Sequence, residues 1–154
     1  MTQKYNLQLL NISTDWSVVR NVFYDIDPAD NNSYDDKEVY IYCQEDLLYL
    51  TKDDYHLDLG WYGYNNLTYD KTGYCIHLYR GANWNNSVLL EKLRSKDKQV
   101  IVAKINELIN AVDIGEFENL IGYIVDENDS SNKNDFSAID NYSVRKTPMK
   151  TDKT

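Results

Sequence analysis

Carboxylates and phenols are the side chains this sequence brings together most densely. Between Asp25 and Asp58 stand Asp25, Asp27, Asp30, Asp35, Asp36, Glu38, Glu45, Asp46, Asp53, Asp54 and Asp58, against only Lys37 and Lys52. The balance of that stretch is −9, which is the net charge of the whole protein, so the excess is local. Tyr34, Tyr40, Tyr42, Tyr49 and Tyr55 are interleaved with the acids. Clustered carboxylates can steer a cationic macromolecule and raise its association rate, while tyrosine supplies contact area at low entropic cost. The pattern therefore reads as a surface for a basic protein. The residues expected to carry it are Tyr40, Tyr42, Glu45, Asp46, Tyr49, Asp53, Asp54, Asp58 and Tyr62.

Other chemistries were weighed on the same residues. Paired acids such as Glu45-Asp46 and Asp53-Asp54 could serve as general acid and base, but adjacent turn residues seldom face one cleft from two sides. Asp25-Ile-Asp27-Pro-Ala-Asp30 offers spaced oxygen ligands for Ca²⁺ or Mg²⁺ without the glycine and terminal glutamate of a calcium loop. His56, Asp58 and His77 fall on one predicted strand face, yet their spacing matches no zinc pattern. Cys43 and Cys75 fall on opposite predicted faces, and Gly60, Gly63 and Gly73 are too scattered to cradle phosphate. No catalytic residue, metal or cofactor is expected. The run Trp61-Tyr62-Gly63-Tyr64 could stack on a ring, but it suits a strand end closing a core better.

Composition bounds the classes further. A chain of 154 residues fits one domain. A hydrophobic fraction of 42% with 14 tyrosines and 3 tryptophans is too apolar for a disordered chain. The acidic balance argues against direct binding of nucleic acid or anionic membranes, both of which demand a basic footprint. Met1-Thr2-Gln3-Lys4-Tyr5 does not open a charged-then-apolar leader, and a cytoplasmic protein is the expectation.

The elements that must position these side chains follow from hydrophobic period. Residues 5–12 alternate loosely as a first strand, and Ser13 or Thr14 is placed to cap a short helix carrying Trp16, Val19, Arg20 and Phe23. Residues 29–36 read as loop. Period-2 alternation predicts strands over Glu38–Cys43, Leu47–Thr51, Tyr55–Tyr62, Gly73–Arg80 and Val88–Arg94, with tight turns at 44–46 and 52–54. From Asp97 the period changes: Ile101, Ile105, Leu108, Ile109 and Val112 form a helical stripe, with Lys98, Lys104 and Glu107 on the solvated side. The expected fold is α+β, an antiparallel meander of four to five strands with one main amphipathic helix on one face. Residues 1–126 form the domain and 127–154 a polar, flexible tail. Val39, Ile41, Leu48, Leu50, Leu57, Leu59, Trp61, Ile76 and Leu78 would face the helix. Tyr40, Tyr42, Tyr49, His56, Asp58, Tyr62, His77 and Tyr79 would form the opposite, polar and aromatic face.

In size, in the acidic and aromatic strands from Glu38 to Tyr64 and in the helix from Asp97, residues 1–125 resemble the immunity proteins that bacteria pair with secreted polymorphic toxins. The resemblance implies a non-enzymatic cytoplasmic inhibitor that binds a cognate toxin, often a basic nuclease, and occludes its active or substrate-binding surface. The rival reading is a phage anti-defence protein whose acidic face mimics DNA and blocks a restriction or CRISPR enzyme. A homodimer closed through the aromatic face is a further use of the same surface.

Overall fold

A computed structural model describes residues 5–27, 41–63, 72–82, 87–118 and 141–145. Six antiparallel strands lie in chain order: β1 (Ser17–Asn21), β2 (Leu48–Lys52), β3 (Tyr55–Tyr62), β4 (Gly73–Gly81), β5 (Ser87–Ser95) and β6 (Asn141–Ser143). One helix, α1 (Lys98–Asp113), packs on β4 and β5. The molecule is thus the α+β meander expected from the period-2 and 3.6 patterns, with six strands where four to five were expected. Among the described residues no helix is long and apolar enough to cross a membrane.

The core is the seam between α1 and one sheet face. Leu48, Leu50, Leu57, Leu59, Trp61, Ile76 and Leu78 are essentially sealed from water, as are Ile101, Ile105 and Leu108 of the helical stripe. Trp61 stands opposite Tyr74 across β3 and β4, their rings edge to face at 4.9 Å. The helix begins at Asp97, whose side chain accepts from Gln99 N at 2.9 Å. It ends where Gly115, at φ +82°, turns the chain and returns its N–H to Val112 O.

The N-terminal segment straps the helix along its length. The Lys98 ammonium donates to Gln8 Oε1 and Asp25 Oδ1, and Asn11 N donates to Asn106 Oδ1 at 2.8 Å. At the far end Asp113 accepts from Ser13 Oγ at 2.5 Å and from both Trp16 Nε1 and Lys52 Nζ at 2.9 Å.

Several local expectations are corrected. Residues 17–21 are strand, not helix: consecutive Val18 and Val19 favour extended backbone, and the free side of β2 supplies a ladder that an isolated turn of helix cannot match. Residues 5–12 contribute only a bridge, Leu7 with Tyr24. Of the expected Glu38–Cys43 strand, residues 38–40 lie outside the described residues, and Ile41 and Tyr42 are helical. Tyr42 and Cys43 are both buried, which strand alternation forbids on a half-exposed sheet, and Gln44 Nε2 caps the turn on Ile41 O at 2.8 Å.

Lys98 and Lys104 are not solvated either. Lys104 reaches Glu91 Oε1 at 2.9 Å, close in distance though not aligned as a hydrogen bond. Glu91 is buried on the helix side of β5, opposite Leu78, just after a bulge that makes Leu90 the extra residue. Its carboxylate also accepts from Ser143 Oγ and from Arg145 Nε, the latter at 2.9 Å. Arg145 continues to Glu116 and Glu107, and Val144 beside it is buried. This buried acid anchors β6, a strand drawn from the stretch in which the sequence suggested only tail.

Candidate functional site

The face of the sheet turned away from α1 is built by alternation along β2, β3, β4 and β5. Register puts Tyr49, Asp58, His77, Lys92 and Tyr142 on one rung, and His56 opposite Tyr79 on the next. Arg20 joins from β1 opposite Tyr49. The polar, aromatic character expected of this face is therefore present, with cations on its β1 and β5 sides. Lys92 and Arg94 were legible as alternation within β5, whereas Arg20 was hidden by the helical reading of residues 13–23.

At its centre the proton positions are fixed by geometry. Gly81 O lies 2.9 Å from His56 Nε2 and can only accept, so Nε2 carries a proton. In the neutral ring Nδ1 then accepts from Tyr49 Oη at 2.6 Å. Tyr79 in turn is hydrogen bonded to Tyr49. The His56 ring stacks on Tyr79 at 4.7 Å between centroids and faces Tyr49 at 5.9 Å. The result is a rigid, internally satisfied aromatic shelf across three strands.

Beside the shelf lies a group that is not satisfied. Asp58 is largely buried between the strands, and no hydrogen-bond donor reaches its carboxylate among the described residues. Burial, with the neighbouring Asp46 charge, pushes its pKa up to about 6. Glu45 and Asp46 are exposed at the entry to β2, close enough with Asp58 to oppose ionisation of Tyr62, whose pKa is raised chiefly by burial. Gly60 is what lets this corner sit so close to the sheet. A Cβ there would stand 2.2 Å from Glu45 O.

The expected site residues thus divide. Glu45, Asp46, Asp58 and Tyr62 form one corner, and Tyr49 belongs to the adjoining shelf. Asp53 and Asp54 are exposed in the two-residue turn at the other end of β2, where Asp53 takes a positive φ of 53°. Asp54 is engaged by Arg80 at 3.0 Å, while Asp53 has no ion pair among the described residues. Tyr42 is turned inward, its ring edge to face with Tyr5 and Tyr24. Tyr40 lies outside the described residues.

The alternative chemistries do not assemble. His77 is buried, and burial with Lys92 and Arg94 lowers its pKa to about 3, so it stays neutral at physiological pH. Cys75 Sγ lies 4.0 Å from His77 Nε2 but is sealed from solvent, and burial pushes the Cys43 thiol up to about 12. No group of three or more metal-ligating side chains converges among the described residues. A groove of about 570 Å³ runs between residues 10–13 and the C-terminal half of α1. Its one carboxylate, Asp113, is already taken by three donors. Against this geometry stand the comparisons with known proteins: no family model, no curated protein and no solved structure matches the chain.

Proposed function

We propose that this protein is a non-catalytic inhibitor that binds a basic protein through the Glu45, Asp46, Asp58 and Tyr62 corner and the adjoining Tyr49 shelf. In this reading it acts as an immunity protein that covers the cationic surface of a toxin. The observation that carries the reading is Asp58. A carboxylate held largely buried without a donor destabilises the fold, and a neutral side chain would serve the sheet better. Groups kept at such a cost cluster at functional sites. An arriving lysine or arginine would supply the missing partner. Asp58 is desolvated before the encounter, so that part of the cost of pairing is already met by folding. Glu45, Asp46 and Asp53, unpaired among the described residues and exposed, would steer the approach.

The test is capture of the basic product of a neighbouring gene by the wild-type protein and by Asp58→Asn and Glu45→Gln/Asp46→Asn/Asp53→Asn variants. Both variants should lose affinity, Asp58→Asn mainly through faster dissociation and the triple variant mainly through slower association. Association should also slow with rising ionic strength. Equal recovery by all three proteins would show that the acids only keep the domain soluble.

A further inference from the structure

β1 is an edge strand whose outer side nothing covers. Ser17, Val18, Val19 and Arg20 are all exposed, Val18 and Val19 at 52% and 59%. Their ladder bonds run to β2 alone, and β1 ends the sheet. The N-terminal segment does not close this side, because it bonds to residues 23 and 25 and then passes to the helix. Natural edges are usually blunted. Here the devices are the irregularity between Val18 and Arg20 and the Arg20 guanidinium, which is occupied by Asp46 O and Gln44 Oε1. Neither masks the two valines.

The charges around the edge select what it can take. Asp15, with its side chain 74% exposed, lies at the Ser17 end, where it approaches Lys52 at 3.8 Å. Glu45 and Asp46 lie at the Asn21 end, where Val22 N bonds Leu47 O. A second copy of this chain pairing antiparallel would set the Asp15 end of one against the Glu45 and Asp46 end of the other, like against like. An extended segment with a β-branched centre and cations at both ends, about 17 Å apart over five residue steps, meets every feature.

We propose that the open edge of β1 is a strand-addition site for a short extended segment of a basic protein, flanked by lysine or arginine. The inference rests on the partner reading above and extends it, since Arg20 and Tyr49 make the edge continuous with the polar face. The probe is the synthetic peptide acetyl-Lys-Thr-Val-Thr-Val-Lys-amide, titrated into the ¹⁵N-labelled full chain at low ionic strength. One control carries glutamate at both ends. Another carries N-methyl groups on two adjacent central residues, which blocks both of its edges.

The lysine peptide should shift the amides of residues 17–21 and slow their hydrogen exchange. The glutamate peptide should bind at least about tenfold more weakly, and the N-methylated peptide should leave β1 unchanged. Silence of β1 at millimolar peptide would overturn the inference, as would equal binding by either control. If shifts appear instead at Tyr49, Asp58 and Tyr62 with β1 silent, the edge is excluded while the partner reading stands.

Discussion

Asp58→Asn should make the protein more stable at neutral pH, by an amount that depends on pH in a defined way. The carboxyl of Asp58 rises from 3.8 to about 6 on folding, through burial first and Asp46 second. The folded state therefore binds more protons than the unfolded state between those values. This group's contribution is most favourable below the unfolded value, declines as pH rises through about 6, and is flat above it. Two units correspond to about 3 kcal/mol at most. Asparagine removes that term but leaves an amide with no partner, an offset of about 1 kcal/mol. The expected gain is about 1–2 kcal/mol at pH 7.5, and close to zero or slightly negative near pH 4. In urea melts at fixed ionic strength, with a slope of about 1.5–2 kcal/mol per molar, the midpoint should rise by about 1 M at pH 7.5. An Asp46→Asn background should shrink the gain. A variant no more stable than wild type at pH 7.5, or one with the same gain at both pH values, would refute the assignment of Asp58 as an unpaired, desolvated acid.

Arg145→Met should release β6. It loses buried Glu91 and the half-exposed Glu107 and Glu116, but Lys104 remains on Glu91, so a cost of about 2–3 kcal/mol is expected, with faster amide exchange at Val144. Unchanged Val144 exchange would count against the anchoring role. Gly60→Ala sets a methyl 2.2 Å from the backbone oxygen of Glu45, which cannot swing aside, and should cost about 3 kcal/mol while displacing the acidic corner. Thermal melts alongside the Glu45 amide shift test both parts. Asp113→Ala removes the acceptor shared by Ser13, Trp16 and Lys52 and should cost about 2–3 kcal/mol, with red-shifted emission from newly exposed Trp16. Burial pushes the Asp113 carboxyl up, but the bonds from Lys52, Ser13 and Trp16 outweigh it and hold its pKa below the ordinary range. Its stabilisation is thus present above about pH 4 and fades as pH falls below that, a dependence the alanine variant should lack.

Where one face is apolar and the other polar, the sequence was readable almost residue by residue. Tyr55–Tyr62 and the stripe from Ile101 to Val112 adopt the predicted element and bury the predicted side, because period alone decides which side chains leave water. The failures occur where tertiary partners overrule local pattern. Trp16 and Phe23 mimic a helical face, yet the free edge of β2 makes residues 17–21 a strand. Ile41, Tyr42 and Cys43 alternate on paper, but Tyr42 is drawn inward by Tyr5 and Tyr24, residues distant in sequence. β6 has only three residues and is held by Glu91, an acid whose burial no local signal announces. For the site, alternation placed Tyr49, Asp58 and Tyr62 together, while the lack of a donor at Asp58 emerges only from the packed sheet.

The strap of residues 8–16 has a mechanical consequence. Its ties to the helix, at Lys98, Asn106 and Asp113, come one after another along the chain and not side by side. Tension applied ahead of residue 5 would load them singly, so they would unzip in sequence, each at low force. The sheet would be reached only after Trp16 has left its seat. A pull along β2 or β3 would instead load many ladder bonds in parallel. The molecule is therefore soft when drawn from its N-terminal side and stiff across the hairpin that bears Asp58, so the proposed docking surface would keep its shape while the strap comes away.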